Sequence, residues 1–215
     1  EIPKRDWSSD VCSSDLLCEE RDTDKKITEY LQSMRSSGNH LLSMIEDLLD
    51  LAKSETNDLQ IQPHRVNLAQ FLSEISRISG QDCAKKNLRF YTDFAANIPA
   101  VVVSDPSRLR QILLNLLRNA CKYTSAGHVL LKVSVLEQAN GKATLRFEVQ
   151  DTGVGIPQDK IAKVFEAFFQ IETSYALSEG GVGLGLAIVR ELVRRLDGKI
   201  NVSSVPKKGS DRKST

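Results

Sequence analysis

The sequence predicts an α+β protein, a sandwich with helices on one face of a mixed sheet, preceded by one long helix. Three observations carry this. A β-hairpin runs from 128 to 149, where Val129, Leu131, Val133 and Val135 alternate with wetter residues, Asn140-Gly141 supplies the turn, and Ala143, Leu145, Phe147 and Val149 alternate on the return. Two stretches that flank it, 105–123 and 182–196, carry apolar residues at helical spacing. Residues 24–54 instead keep a heptad seam, which belongs to a different kind of packing.

Each element has a local justification. In 24–54, Ile27, Leu31, Met34, Gly38, Leu41, Ile45, Leu48 and Ala52 recur in alternating steps of four and three. A single helix cannot bury such a seam, so it needs a partner helix in this chain or in a second copy. Gly38 allows close approach there at a cost of about 1 kcal/mol of helix propensity. Between Glu55 and His64 the periodicity lapses, and 56–66 reads as a linker with a short extended piece, LQIQP. Asn67 then caps a helix carrying Leu68, Phe71, Leu72, Ile75 and Ile78. Leu88–Phe94 and Val101–Val103 read as strands, after which Asp105 as N-cap and Pro106 in the first turn open the next helix. Its apolar stripe is Leu109, Ile112, Leu113, Leu116, Leu117 and Ala120. The last helix stops at Asp197-Gly198, and Lys199–Ser204 begins one more strand.

Composition narrows the function. In 215 residues, 29 basic and 28 acidic side chains leave a net charge of +1, so no polyanion-binding field exists and nucleic acid is not a favoured partner. Cys12, Cys18, Cys83 and Cys121 have neither metal-ligand spacing nor the density of a secreted scaffold, which fits a reducing compartment. No apolar run is long enough to span a bilayer. The two ends look foreign. DWSSDVCSSDL at 6–16 matches the translation of a common sequencing adapter, and DRKST at 211–215 can be encoded by part of its reverse complement. The expected layout is therefore 1–16 as an adapter-like, disordered artefact, 17–55 as part of a dimerisation helix, 56–66 as linker, 67–210 as the main domain and 211–215 as adapter-like again. Codons in the parent nucleotide record that depart from the adapter would refute this origin.

Three stretches carry chemistry. On the helix 105–123, Arg108, Gln111, Asn115, Asn119 and Lys122 fall three or four residues apart and form one polar row opposite the apolar stripe. Such a row is either a solvated face or a seat for a hydrated cation and phosphate oxygens. At the hairpin's end, Asp151-Thr-Gly-Val-Gly-Ile156 is either a turn or a carboxylate that accepts from an amino group on a flat ligand, with glycines admitting the ligand to the backbone. Gly180-Gly-Val-Gly-Leu-Gly-Leu186 opens a helix, where exposed amides and the positive dipole end suit phosphate, although no strand directly precedes it as in a Rossmann unit. Between them lie Phe165, Phe168 and Phe169, which read as core and as the anchor of a mobile lid, Glu172–Glu179.

Taken in order, N-L-L-R-N-A-C-K-Y, D-T-G-V-G-I, F-E-A-F-F-Q and G-V-G-L-G-L-A-I closely resemble the N, G1, F and G2 boxes of the histidine kinase catalytic domain, over Leu68 to Ser210. SGNHLLSMIEDLLDLAKSE resembles the second helix of that family's dimerisation and phosphotransfer bundle. The resemblance implies a Bergerat-type fold that binds ATP and Mg²⁺. Asp151 would bind the adenine amino group, Asn119 would hold Mg²⁺, and Asn115 and Lys122 would contact phosphates, these last three forming the catalytic set. Tyr123, Gly153, Gly155, Ile156 and Phe169 would border the nucleotide, with Gly181, Gly183, Leu184, Gly185 and Leu186 closing over the triphosphate. It further implies a homodimer through the long helix, a response-regulator receiver domain as partner, a cytoplasmic location, and membrane attachment only through upstream segments. ATP-hydrolysing relatives usually carry a glutamate one turn before the metal-binding Asn; here Asn115 stands there and is no general base. The nucleotide is thus expected to be held for a protein nucleophile rather than for water. The rival readings are a GHKL-type ATPase or ATP-gated switch, and a nucleotide-blind dimerisation module.

Two departures from the family pattern carry expectations of their own. No H-E-x-R-T-P-L motif surrounds a histidine: His40 lies on the second bundle helix and reads as a surface residue, and His64 and His128 receive no role. The phosphoacceptor is therefore expected to be missing. After PKKGS the family expects a strand of T-F-x-x-x-L-P type; DRKST stands in its place, which predicts an unpaired sheet edge.

Overall fold

The structure, a computed structural model, describes residues 60–171, 182–205 and 209–214, and positions 27, 28, 30, 31, 34, 38, 41, 45, 48 and 49 of the N-terminal stretch. The chain divides into two units, 1–46 and 47–215. All ten described N-terminal positions are helical. The seam residues among them, Ile27, Leu31, Met34, Leu41, Ile45 and Leu48, are exposed. His40 and the adapter-like residues 1–16 lie outside the described residues.

The second unit contains, in order, β1 (His64–Asn67), α1 (Leu68–Lys85), β2 (Arg89–Phe94), β3 (Val101–Ser104), α2 (Pro106–Tyr123), β4 (His128–Ala139), β5 (Lys142–Asp151), two short 3-10 turns, α3 (Gly185–Arg195), β6 (Ile200–Val205) and β7 (Gly209–Ser214). The main sheet runs β2-β4-β5-β7-β6. It is mixed, because β2 joins β4 in parallel and the other neighbours are antiparallel. The three helices send Leu72, Ile75, Leu113, Leu116, Leu117, Ile188 and Leu192 into one core with Val129, Leu131, Val133 and Val149 of the sheet. The predicted α+β sandwich is the one observed.

Local signals landed where backbone chemistry dictates. Asn67 accepts from Gln70 N at 3.1 Å, and Asp105 accepts from Ser107 N and Arg108 N, so both helices begin at predicted caps. Asn140 and Gly141 both have positive φ, 53° and 74°, as the tightest hairpin turn requires. The final helix starts at Gly185 rather than Val182, so 182–184 precede it as a loop.

Three features differ from expectation. Within the stretch read as linker, β1 pairs antiparallel with β3, so two short segments satisfy each other's backbone. Cys83 and Cys121 are joined by a disulfide between the last turns of α1 and α2, with Cα atoms 5.8 Å apart. The predicted open edge is absent: β7, which includes Asp211–Ser214, lies between β5 and β6 and pairs with both. Unpaired amides and carbonyls flanking that gap are a sufficient physical reason for a polar strand to enter it.

Candidate functional site

Asn115, Asn119, Lys122 and Tyr123 project from the C-terminal half of α2, opposite the stripe that the core consumes. They are half-buried, which decides against a simply solvated face. Part of the cover comes from the start of α3. A methyl group on Gly185 would lie 3.8 Å from Asn115 Cγ and 3.9 Å from Asn119 Nδ2, so the glycine backbone sits directly over the two amides. Asn115 Nδ2 is buried with no hydrogen-bond partner among the described residues. No side chain caps α3, so its first amides remain open to an anion. Beyond this cluster, Arg108 Nη1 donates to Gln111 Oε1 at 3.0 Å, and Lys122 Nζ lies 5.3 Å from the Tyr123 ring centroid.

The Asp151 loop is held against the end of that helix. Val154 N donates to the Tyr123 carbonyl at 3.2 Å, and a side chain on Gly153 would overlap that same carbonyl oxygen. Gly155 takes a positive φ of 71°, which a β-carbon would oppose. Ile156 is buried and its amide donates to Ser204 Oγ at 2.7 Å. The Asp151 carboxylate is buried and accepts three hydrogen bonds. Oδ1 accepts from Gly153 N at 3.0 Å and from Ser210 N at 3.3 Å, while Oδ2 accepts from Arg212 Nη1 at 3.1 Å.

The phenylalanine segment meets the glycine loop through backbone. Phe168 N donates to Gly183 O at 3.1 Å, and Gly183, at φ 79°, has no room for a β-carbon, which would come within 2.8 Å of the Phe169 carbonyl oxygen. Phe165 and Phe169 are half-buried but Phe168 is exposed, so the aromatic trio is not a core cluster. Leu184 is buried and Leu186 packs partly against the core. Gly181 and Glu172–Glu179 lie outside the described residues.

Two further residues shape the site. Thr152 ties the D-T-G turn to β4, since its Oγ1 accepts from His128 N at 3.0 Å and its amide donates to His128 O at 3.2 Å. A threonine directly after the acid was the available signal. Arg212 had no signal, because a buried arginine becomes meaningful only beside its carboxylate.

A half-buried amide row, an uncapped helix start and an acid followed at short range by glycines are the features of this α+β sandwich that suit a phosphate-bearing ligand. Residues 104–212 match the family described as histidine kinase-, DNA gyrase B-, and HSP90-like ATPase, and residues 12–57 match the His Kinase A (phospho-acceptor) domain. The chain belongs to the first of these families. Within it, this is the ATP-binding catalytic domain of a sensor histidine kinase. The aerobic respiration control sensor protein ArcB of Escherichia coli (strain K12) is 36% identical over 183 residues, 85% of this chain and 23% of that protein. The sensor protein GacS of Pseudomonas syringae pv. syringae is 34% identical over 183 residues, 85% of this chain and 20% of that protein. Among solved structures, full-length ShkA in complex with AMPPNP aligns at TM-score 0.72 and 33% identity, over 87% of this chain and 38% of that one. The histidine kinase AdeS of Acinetobacter baumannii shares the fold at TM-score 0.67 and 22% identity, over 86% of this chain and 81% of that one. The chain thus spans about a quarter or less of the curated relatives it matches.

Proposed function

We propose that this domain binds Mg-ATP between the α2 amide row, the Asp151 loop and the start of α3, and delivers the γ-phosphoryl group to a histidine for relay to a response-regulator receiver domain. The observation that carries the reading is the pairing of an uncapped helix start with Asn115 and Asn119, one of which has a buried, partnerless amide. Open amides suit phosphate oxygens, and an orphaned donor suits an acceptor that arrives with a ligand. Asn119 would offer its amide oxygen to Mg²⁺, a hard cation that takes oxygen ligands and keeps waters. When bound, the ion neutralises charge building on the transferring group. Lys122 and Asn115 would hold phosphates, Asp151 would read the adenine amino group, and Tyr123, Gly153, Gly155, Ile156 and Phe169 would line the base. Gly181, Gly183, Leu184, Gly185 and Leu186 would close the phosphate side.

Asn115 has no basic lone pair with which to activate water, so the site favours transfer over hydrolysis. In this reading the exposed seam of the N-terminal helix pairs with a second copy, and the chain does not phosphorylate itself, since none of its three histidines lies in a phosphoacceptor motif. Among the described residues no helix is long and apolar enough to cross a membrane. Titration with a non-hydrolysable ATP analogue tests the site. Binding that needs Mg²⁺ and is lost in Asn119→Ala and Asp151→Asn is expected. Binding indifferent to both substitutions would overturn the assignment, and steady phosphate release abolished by Asn115→Ala would turn it towards an ATPase.

A further inference from the structure

The disulfide between Cys83 and Cys121 holds the nucleotide end of α2. Cys121 stands two residues after Asn119 and directly before Lys122. The Tyr123 carbonyl, two residues further on, accepts from Val154 N at 3.2 Å and is the oxygen against which Gly153 rests. On the other side, the Cys83 carbonyl accepts from Lys86 N and Leu88 N, both at 3.0 Å, which fixes the exit of α1 towards β2. The bond therefore ties the turn that carries Lys122, and the seat of the Asp151 loop, to a helix that supplies none of the site's residues. The chain's four cysteines fit a reducing compartment, where a disulfide is typically transient and redox-sensing rather than a permanent staple. The Cα atoms are 5.8 Å apart, a separation that a bridge spans without backbone movement. Both cysteines lie in the last turn of a helix, and helix ends open at far lower free energy than the core.

We propose that Cys83–Cys121 is a redox modification site, at which exchange with a dithiol sets the nucleotide affinity of the domain. The inference rests on the reading of α2 as the seat of Mg-ATP. Cys83 is 0% and Cys121 5% exposed, so the Cys121 sulfur is the one reached first as the turn opens. A thiolate of the dithiol attacks it; the protein S–S bond breaks, a mixed disulfide forms, and Cys83 leaves and takes a proton. The second thiolate then closes the dithiol's own ring disulfide and releases Cys121 as a thiol. Two electrons and two protons have passed from the dithiol to the cysteines, and the reverse exchange restores the bond. In the oxidised chain the last turn of α2 is pinned, and Lys122 and the Tyr123 carbonyl are preset. In the reduced chain the turn frays, and the nucleotide has to order it. A turn that is ordered about one-fifth of the time weakens binding about fivefold. By reciprocity, bound nucleotide makes the bond about fivefold harder to reduce, which is about 20 mV for a two-electron couple.

The test uses the full chain carrying Cys12→Ser and Cys18→Ser, so that only this pair responds, after peptide mapping has established the bond. Isothermal titration with Mg-AMPPNP compares the oxidised chain with the chain reduced by dithiothreitol. Expected is a Kd about fivefold higher after reduction, with Cys83→Ala/Cys121→Ala binding at the reduced value and indifferent to dithiothreitol. At equilibrium with dithiothreitol and its cyclic disulfide, alkylation and mass analysis should show the half-reduced point moved about fivefold towards dithiothreitol by saturating Mg-AMPPNP, and unmoved in Asn119→Ala. A purely structural cross-link would not answer to nucleotide in this way. Equal affinities in the two redox states, with binding still lost in Asn119→Ala, would overturn the coupling and leave the Mg-ATP site standing, as would a half-reduced point that nucleotide does not move. A reduced chain that calorimetry finds unfolded at the assay temperature would make the loss global and overturn the local device, and a map without the cross-link would overturn the pairing. No binding in either state would remove the site and the inference together.

Discussion

Reduction of the Cys83–Cys121 disulfide is expected to lower thermal stability substantially. The bond ties the last turn of α1 to the last turn of α2 across 38 residues of sequence. Cross-linking a loop of that length removes about 13 cal/mol/K from the unfolded chain, or about 3.9 kcal/mol at 25 °C, in the chain-entropy treatment. Both cysteines are buried, at 0% and 5% exposure, and their thiols can remain packed after reduction, so no cavity cost adds to the entropy. For a domain of this size each kcal/mol is worth about 2–4 °C, which places the drop in melting temperature at about 8–16 °C. Differential scanning calorimetry with and without a phosphine reductant measures it, beside a Cys83→Ala/Cys121→Ala variant whose midpoint no longer responds to reductant. Peptide mapping under non-reducing conditions establishes the bond first. A mapped bond with a midpoint that reduction moves by less than about 2 °C would refute the entropic argument, and a map without the cross-linked peptide would refute the pairing.

Three other outcomes follow from the site and its supports. Gly153→Ala should cost about 1–3 kcal/mol in urea unfolding, because its methyl meets the Tyr123 backbone carbonyl rather than a side chain that can turn away; an unchanged midpoint would contradict the close approach. Asn115→Ala should move stability and binding in opposite directions: removing a buried, partnerless amide stabilises the ligand-free domain by up to about 1 kcal/mol, while affinity for an ATP analogue falls about tenfold. Loss of both together would show that Asn115 is structural. Glu74 is held below its ordinary value of 4.5 by its hydrogen bond from Arg110, so the pair stabilises the fold above about that pH and fades as pH falls through the lowered value. Glu74→Gln should therefore unfold slightly earlier than the parent at neutral pH and match it once the carboxyl is protonated; a difference that persists in acid would refute the linkage.

What was legible in the sequence was chemistry closed within a few residues. Asn67 and Asp105 bond amides two or three positions along, and Asn140-Gly141 adopts the pair of positive φ angles that its turn demands, so each could be read from its own neighbourhood. The polar row of α2 was legible as a row because helical spacing alone makes it one. Whether it faced solvent was not, since its cover includes Gly185, 70 residues beyond Asn115 in the numbering. The disulfide was hidden for the same reason: cysteine spacing says nothing about two helix ends that only the sheet brings together. β7 failed differently. G-S-D-R-K-S has no apolar alternation, and a rule that finds strands by burial of alternate hydrophobics must pass over it. It is a strand because β5 and β6 both leave backbone groups to satisfy and because Asp151 accepts the charge that the strand buries. Recognition of D-T-G-V-G therefore located the carboxylate but not its state. Its ion-pair partner, Arg212, lies 61 positions later and carries no local signal of that contact.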